Sequence, residues 1–267
     1  MVVAEYGTGP AVVLLHGQPG VGQDWERVVD ALDGGVRLLV PDRPGYGRTG
    51  GPAGGCQANA DAVIELLDRT GIERVTVAGH SWGGAVALAL AQRHPDRVTA
   101  IVLVSSVGGP GSIGRLDRLL AAPVIGSLLA AAGLTALRAN RVRRAVATVA
   151  APRDRTAVDS LAQGSFGPWR SVVAEQRALL HELPGISARL DRTDLPAVVI
   201  VGSADRVVSP ASQEALAARL PRAEVIRMGE YGHLLPREAP GVVAEAIRRA
   251  AGALDQDEVG GGGPFAD

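Results

Sequence analysis

A serine stands alone among glycines in "GHSWGG", residues 79–84, between the apolar run "VTVA" and the alanine-rich run "AVALALAQ". The spacing is G-x-S-x-G over Gly79 to Gly83, with a further glycine at 84. Where a strand gives way to a helix, this pattern takes the serine through a strained turn too tight for neighbouring side chains and leaves its hydroxyl exposed above the strand end. The helix start behind it favours negative charge developing nearby. The chemistry of such a hydroxyl is attack on a carbonyl carbon. A serine at its free pKa is a poor nucleophile, so a histidine must take its proton and a carboxylate must orient that histidine. Five-residue motifs recur by chance, and it is those partners that separate a nucleophile from an ordinary hydroxyl in a glycine turn.

The chain has five histidines. His233, in "GEYGHLLPREAP", lies just after the last strand-like run and before the final helix. His16 and His80 belong to turns at strand ends, His94 ends a helix in "RHPDRV", and His181 falls in a helical stretch, so a structural role is the simpler reading of each. For the carboxylate, Asp205 in "VGSADRVVSP" follows a strand that ends at Gly202, whereas the corresponding place after the preceding strand reads "SSVGG" and has no acid. Ser81, Asp205 and His233 are therefore the candidate catalytic residues. Their chain order is the one expected when all three sit in loops at the carboxyl edge of one parallel sheet.

The elements that must hold them there are visible in the patterning. Apolar, β-branched runs occur at 11–16, 36–40, 74–79, 98–104, 197–202 and 223–228, nearly uninterrupted, as in parallel strands covered on both faces. "MVVAEY" adds a short antiparallel edge strand. Helical patterning falls between them at about 22–32, 57–70, 83–93, 210–220 and 238–251. The alternation makes the class α/β, with a mostly parallel, doubly wound sheet. It stops after Val104 and resumes at "AVVIVG", so residues 108–190 read as a helical insertion, 1–107 and 191–254 as a discontinuous core, and the acidic, glycine-rich 255–267 as a disordered tail.

With these residues in place, the chain resembles the α/β-hydrolase fold family over all but its tail, the insertion standing where that family carries a cap domain after the sixth strand position. "HGQPG" (16–20) is similar to the family's oxyanion-hole loop. The resemblance implies two backbone N–H donors, of Gln18 and of Trp82, each worth roughly 3 kcal/mol in barrier height when aimed at a developing oxyanion. "PDRPGYGRTG" (41–50) resembles the family's loop after the next strand, with Asp42 and Arg43 holding loops together. Its Gly45, Gly47 and Gly50 also spell a dinucleotide fingerprint, but further glycines and a proline follow instead of a helix, which rejects that reading. The chain departs from the family at its start, where only nine residues precede Pro10 and the usual two-strand hairpin is truncated or absent.

The resemblance implies a serine hydrolase acting on an ester or lactone through an acyl-enzyme. Capped members of the family with the same three residues also cleave carbon–carbon bonds, make peracids, run cofactor-free non-hydrolytic reactions, or serve as ligand receptors, and these alternatives stay open. Serine in place of aspartate at the turn argues against the dehalogenase and epoxide-hydrolase branches, which need a carboxylate for alkyl transfer. The uncharged stretch 119–137 favours an apolar substrate, and Trp82, Phe166, Trp169 and Tyr231 are candidates for its pocket wall. No metal or cofactor is implied.

Bulk properties narrow the partners. A formal net charge of −1 gives no pull toward nucleic acid or anionic lipid, and a single cysteine, Cys56, excludes an intrachain disulfide framework. The first residues lack the pattern of a secretory signal, so a cytoplasmic location is expected, as a monomer or homodimer acting on a small molecule. The stretch 119–137 approaches the length of a membrane span, but Pro123, Gly126 and Gly133 interrupt it, and a span would split one sheet across a bilayer. Two short apolar helices on the core are the expected arrangement. Arg138, Arg141, Arg143 and Arg144 read as a solvated helix face.

Overall fold

A computed structural model describes residues 1–129, 132 and 169–252. The expected tail, Phe166 and the arginines at 138–144 lie outside the described residues.

The strands are β1 (Val3–Tyr6), β2 (Ala11–Leu15), β3 (Arg37–Pro41), β4 (Val75–His80), β5 (Val98–Val104), β6 (Ala197–Gly202) and β7 (Ala223–Met228). They form one seven-stranded sheet in the order β1-β3-β2-β4-β5-β6-β7. Only β1 runs antiparallel, pairing with β3; the remaining pairs are parallel. β1 thus caps one edge of the sheet, antiparallel to β3.

Alternate residues of each strand feed two apolar cores, as the period of two requires. Val13, Leu15, Val77, Ile101, Leu103, Val199 and Val201 face helices α2 (Cys56–Thr70) and α3 (Trp82–Arg93). Val12, Leu14, Ala78, Val102, Val104, Val198 and Ile200 face α1 (Glu26–Leu32) and the C-terminal helix. Every residue of β4 and of β6 is buried, which explains why these runs read as continuous apolar stretches rather than alternating ones. In α3, ten residues are buried, and its alanines let the helix lie close against the sheet.

Two helices differ from the sequence expectation at prolines and turns. The expected 238–251 helix is divided into Leu235–Glu238 and Pro240–Ala250, because Pro240 pushes Ala239 out of helical geometry, at φ −133° and ψ 51°. The expected 22–32 helix begins as a 3-10 turn, Gly22–Trp25, before α1. Between β5 and β6 lie α4 (Arg115–Ala121), a helical segment at 125–129 and α5 (Trp169–Ala188). Helix α4 stops where Ala122 becomes extended, and Val124 follows Pro123 with φ 61°, so no continuous helix runs through the apolar 119–129 segment. Among the described residues no helix is long and apolar enough to cross a membrane.

Because the parallel strands share a direction, the loops after β2, β3, β4, β6 and β7 all emerge at one edge. Ladder bonds carry on past the strand ends there: the Ser81 N–H donates to the Val104 carbonyl at 2.9 Å and the Ser105 N–H to the Ile200 carbonyl at 3.0 Å.

Candidate active site

Ser81 sits between the end of β4 and the start of α3 with φ 53° and ψ −118°, a conformation that L-residues rarely adopt and that costs about 1–3 kcal/mol. The strain is held by close packing around it. A Cβ on Gly79 would run into the Gly83 carbonyl, and one on Gly83 would meet the carbonyls of Leu15 and His16, so strand and helix approach here only because both side chains are missing. The Ser81 carbonyl accepts from the Gly84 N–H at 3.0 Å and the Val107 N–H at 3.1 Å, which fixes the turn from both sides.

His233, in the loop after β7, reaches this hydroxyl. Its Nδ1 lies 2.8 Å from Asp205 Oδ2 and its Nε2 3.0 Å from Ser81 Oγ. A carboxylate only accepts, so Nδ1 carries the proton and Nε2 presents its lone pair to the Ser81 O–H. Asp205 lies in the loop after β6, and its carboxylate is saturated: Oδ1 accepts from the Val207 and Val208 N–H groups at 2.8 and 2.9 Å, and Oδ2 accepts from Gln213 Nε2 at 2.9 Å as well as from His233. The Asp205 side chain is 0% exposed, and the bonds that satisfy its charge also fix its direction. Thus residues 81, 205 and 233, separated by much of the chain, form one hydrogen-bonded line.

The loop after β2 lies against Ser81: a Cβ on Gly17 would stand 3.2 Å from the Ser81 Cβ. Arg43, fully buried, donates from Nε to the His16 carbonyl at 3.0 Å and from Nη2 to the Gly17 carbonyl at 2.9 Å. Its remaining arm, Nη1, pairs with Glu175 of α5, and both side chains are 0% exposed. Tyr46 donates its hydroxyl to the same carboxylate, and Gln18 Nε2 donates to it at 2.8 Å. Gln176 Nε2 donates to Gln18 Oε1 at 2.7 Å, so the Gln18 side chain is clasped by two neighbouring residues of α5. The Arg43 guanidinium also lies over the rings of Trp82, at 4.5 Å, and Tyr46, at 4.9 Å. Removing one member of such a buried pair costs about 3–5 kcal/mol, because the other charge is left uncompensated. Burial pushes the Glu175 carboxyl above its usual range against the pull of Arg43, and the Tyr46 hydroxyl is raised by its own burial and by the nearby Glu175.

Two further histidines support the edge without touching Ser81 Oγ. His80 Nε2–H donates to the His233 carbonyl at 2.8 Å, with ring centroids 4.9 Å apart. Burial and then the neighbouring His233 lower its pKa to about 3, so the ring is neutral. His16 accepts the Arg43 N–H on Nε2 at 2.9 Å and donates from Nδ1 to the Gly17 carbonyl at 2.9 Å; burial and Arg43 hold its pKa well below the usual value. His94 joins an exposed pair with Asp61, and His181 is exposed on α5. Asp42 ties loops as expected, accepting from the Gly22 N–H and the Arg48 N–H, both at 2.8 Å.

The aromatic residues expected along a pocket wall are placed differently from one another. Trp82 begins α3 with its indole buried, 2% exposed, in the core beneath the loop and against Arg43. Tyr231 packs at the margin of the α1 side of the sheet, and Trp169 is half-buried with Arg170 over its ring. What sequence reasoning missed is the polar cluster: Glu175, Tyr46 and the side chain of Gln18.

Comparison with known proteins agrees with this architecture. The family model described as the alpha/beta hydrolase fold matches residues 10–240. The chain is 33% identical to lipase LipV of Mycobacterium tuberculosis, over 94% of this chain and 97% of that protein. It is also 33% identical to the 2-hydroxymuconate semialdehyde hydrolase of Pseudomonas putida, over 74% of this chain and 70% of that one. A match to epoxide hydrolase 3 of Siraitia grosvenorii, at 38% identity, takes in only 39% of this chain and 35% of that protein. Among solved structures, a thermophilic esterase from Thermogutta terrifontis superposes with a TM-score of 0.74 at 24% identity, over 93% of this chain and 91% of that one. A strained serine turn, a parallel sheet whose loops gather at one edge and a family match across most of the length lead to one conclusion: the chain belongs to the α/β-hydrolase fold family.

Proposed function

We propose that the protein is a serine hydrolase that cleaves an ester or lactone of a small-to-medium apolar substrate through an acyl-enzyme. The observation that carries this reading is the line from Asp205 Oδ2 through His233 to Ser81 Oγ, at 2.8 and 3.0 Å. Ser81 Oγ attacks the substrate carbonyl carbon while His233 Nε2 takes its proton. The resulting imidazolium is stabilised by Asp205, and its proton passes to the departing alkoxide as the carbon–oxygen bond breaks. Water then attacks the acyl-enzyme, again giving its proton to His233, and Ser81 is restored. The negative oxygen of each tetrahedral intermediate is assigned to the main-chain N–H groups of Gln18 and Trp82. The Trp82 N–H, in the first turn of α3, has no partner within the helix and lies at its positive end.

The substrate class rests on the segment between β5 and β6, taken here as a cap over 108–190. In its described part Leu116, Val124, Ile125 and Leu128 are exposed apolar residues, which suits an acyl or alicyclic group better than a charged one. LipV, named a lipase, supports an ester bond. The relative named a 2-hydroxymuconate semialdehyde hydrolase favours a second reading, cleavage of a carbon–carbon bond by the same three residues.

A panel of p-nitrophenyl esters and lactones, beside a β-diketone, tests both. Wild-type ester turnover that falls at least ~10³-fold in Ser81→Ala supports acyl transfer. Diketone cleavage without ester turnover moves the assignment to the second reading, and activity untouched by Ser81→Ala removes the covalent mechanism.

A further inference from the structure

We propose that Glu175, carried by the helix Trp169–Ala188 of the insertion, is a positioning residue that aims the Gln18 main-chain N–H through Arg43. On this view the oxyanion site is complete only while that helix is seated on the core. The inference rests on the ester-hydrolase reading above.

The Gly17–Gln18 peptide is trans, so its carbonyl oxygen and its amide hydrogen point to opposite sides. The Gly17 carbonyl is held by two donors, Arg43 Nη2 at 2.9 Å and His16 Nδ1 at 2.9 Å. Whatever fixes that oxygen therefore fixes the direction in which the Gln18 N–H leaves. Gly17 itself lies against the Ser81 turn, so a rotation of this plane is felt beside the reacting hydroxyl.

Arg43 can hold the carbonyl only while its own charge is compensated. The guanidinium is 0% exposed, and the carboxylate that pairs with it, Glu175, comes from the far side of the insertion in sequence. The same carboxylate accepts from Gln18 Nε2 at 2.8 Å and from Tyr46. One group thus grips the residue bearing the donor by its side chain and, through Arg43, by the preceding carbonyl. The α5 backbone adds a third hold, the Val172 carbonyl accepting from Gln18 Nε2 at 3.1 Å. Lifting α5 would leave Arg43 without its carboxylate, and its pull on the Gly17 carbonyl would relax.

The test compares the full-length wild type with Glu175→Gln and with the charge-free double variant Arg43→Met/Glu175→Met. The double variant leaves no unpaired buried charge and keeps the question open if the single one fails to fold. Three readings are taken: thermal unfolding, hydrogen–deuterium exchange of peptides spanning residues 14–22, and kcat and KM for p-nitrophenyl butyrate. The expected result is a folded variant whose 16–18 amides exchange about tenfold faster. Its kcat falls about 10–100-fold, below the 10²–10³-fold typical of losing a whole oxyanion donor, with KM within about threefold. A folded variant with unchanged exchange overturns the proposal, as does a loss confined to KM. Wild type that neither turns over the ester nor takes a fluorophosphonate on Ser81 refutes the ester reading instead, and the exchange of 16–18 then decides alone whether Glu175 holds the loop.

Discussion

His80 offers a quantitative test of how the site's edge is built. Its ring is buried beside Ser81 and donates to the His233 carbonyl, and its pKa is lowered from 6.5 to about 3. In the unfolded chain the same ring titrates near 6.5, so acidification protonates the unfolded state first. A folded pKa depressed in this way means stability is full above about 6.5 and is lost as pH falls from there toward 3. Between pH 7.5 and pH 5.5 the unfolded ring gains about one factor of ten in proton binding while the folded ring gains almost none. At 1.36 kcal/mol per unit, His80 alone then removes about 1.4 kcal/mol of stability over that interval. Urea unfolding at both pH values measures it, with His80→Gln as the control, since glutamine can still donate to the His233 carbonyl but does not titrate. Other groups act equally in both proteins, so wild type should lose about 1.4 kcal/mol more than the variant. Equal losses would show that His80 is protonated in the native state and would refute the buried, neutral ring.

Two further outcomes follow from the same geometry. Asp205→Asn keeps an oxygen for the Val207 and Val208 N–H groups but turns an amide N–H₂ toward His233, which then protonates Nε2 and points a donor at Ser81; ester kcat should drop about 10⁴-fold with circular dichroism unchanged, and near-wild-type turnover would mean another group orients the imidazole. Gly83→Ala drives a methyl into the Leu15 and His16 carbonyls and should destabilise the fold by about 3 kcal/mol in urea titration, whereas a neutral change would show that strand and helix have room to part.

The sheet and the three residues of the hydrogen-bonded line were readable because each is announced locally. The strands are continuous apolar runs, the serine turn needs its glycines, and Asp205 and His233 fall in short loops directly after strand ends. The polar cluster has no such local mark. Glu175 is 132 residues from Arg43 and 129 from Tyr46, and an acid in "VVAEQRALL" looks like an ordinary solvated helix position. Its signal lies in the period: Val172, Glu175, Leu179, Leu183 and Ile186 are all buried on α5, so the glutamate sits on the apolar stripe. Trp82 is marked by its place beside the serine, and its burial under the Arg43 guanidinium becomes visible only once Arg43 is brought over its ring.

Among the described residues the edge strand β7 bonds to one neighbour, β6, and the imidazole hangs from the loop that follows it. Such margins fray before the interior melts. Under the proposed mechanism a brief detachment there would strip Ser81 of its base while the rest of the chain stayed intact, so on heating, turnover would vanish ahead of the helical signal. Under the same mechanism the hydroxyl would stay inert during synthesis until the loop bearing His233 had emerged and docked.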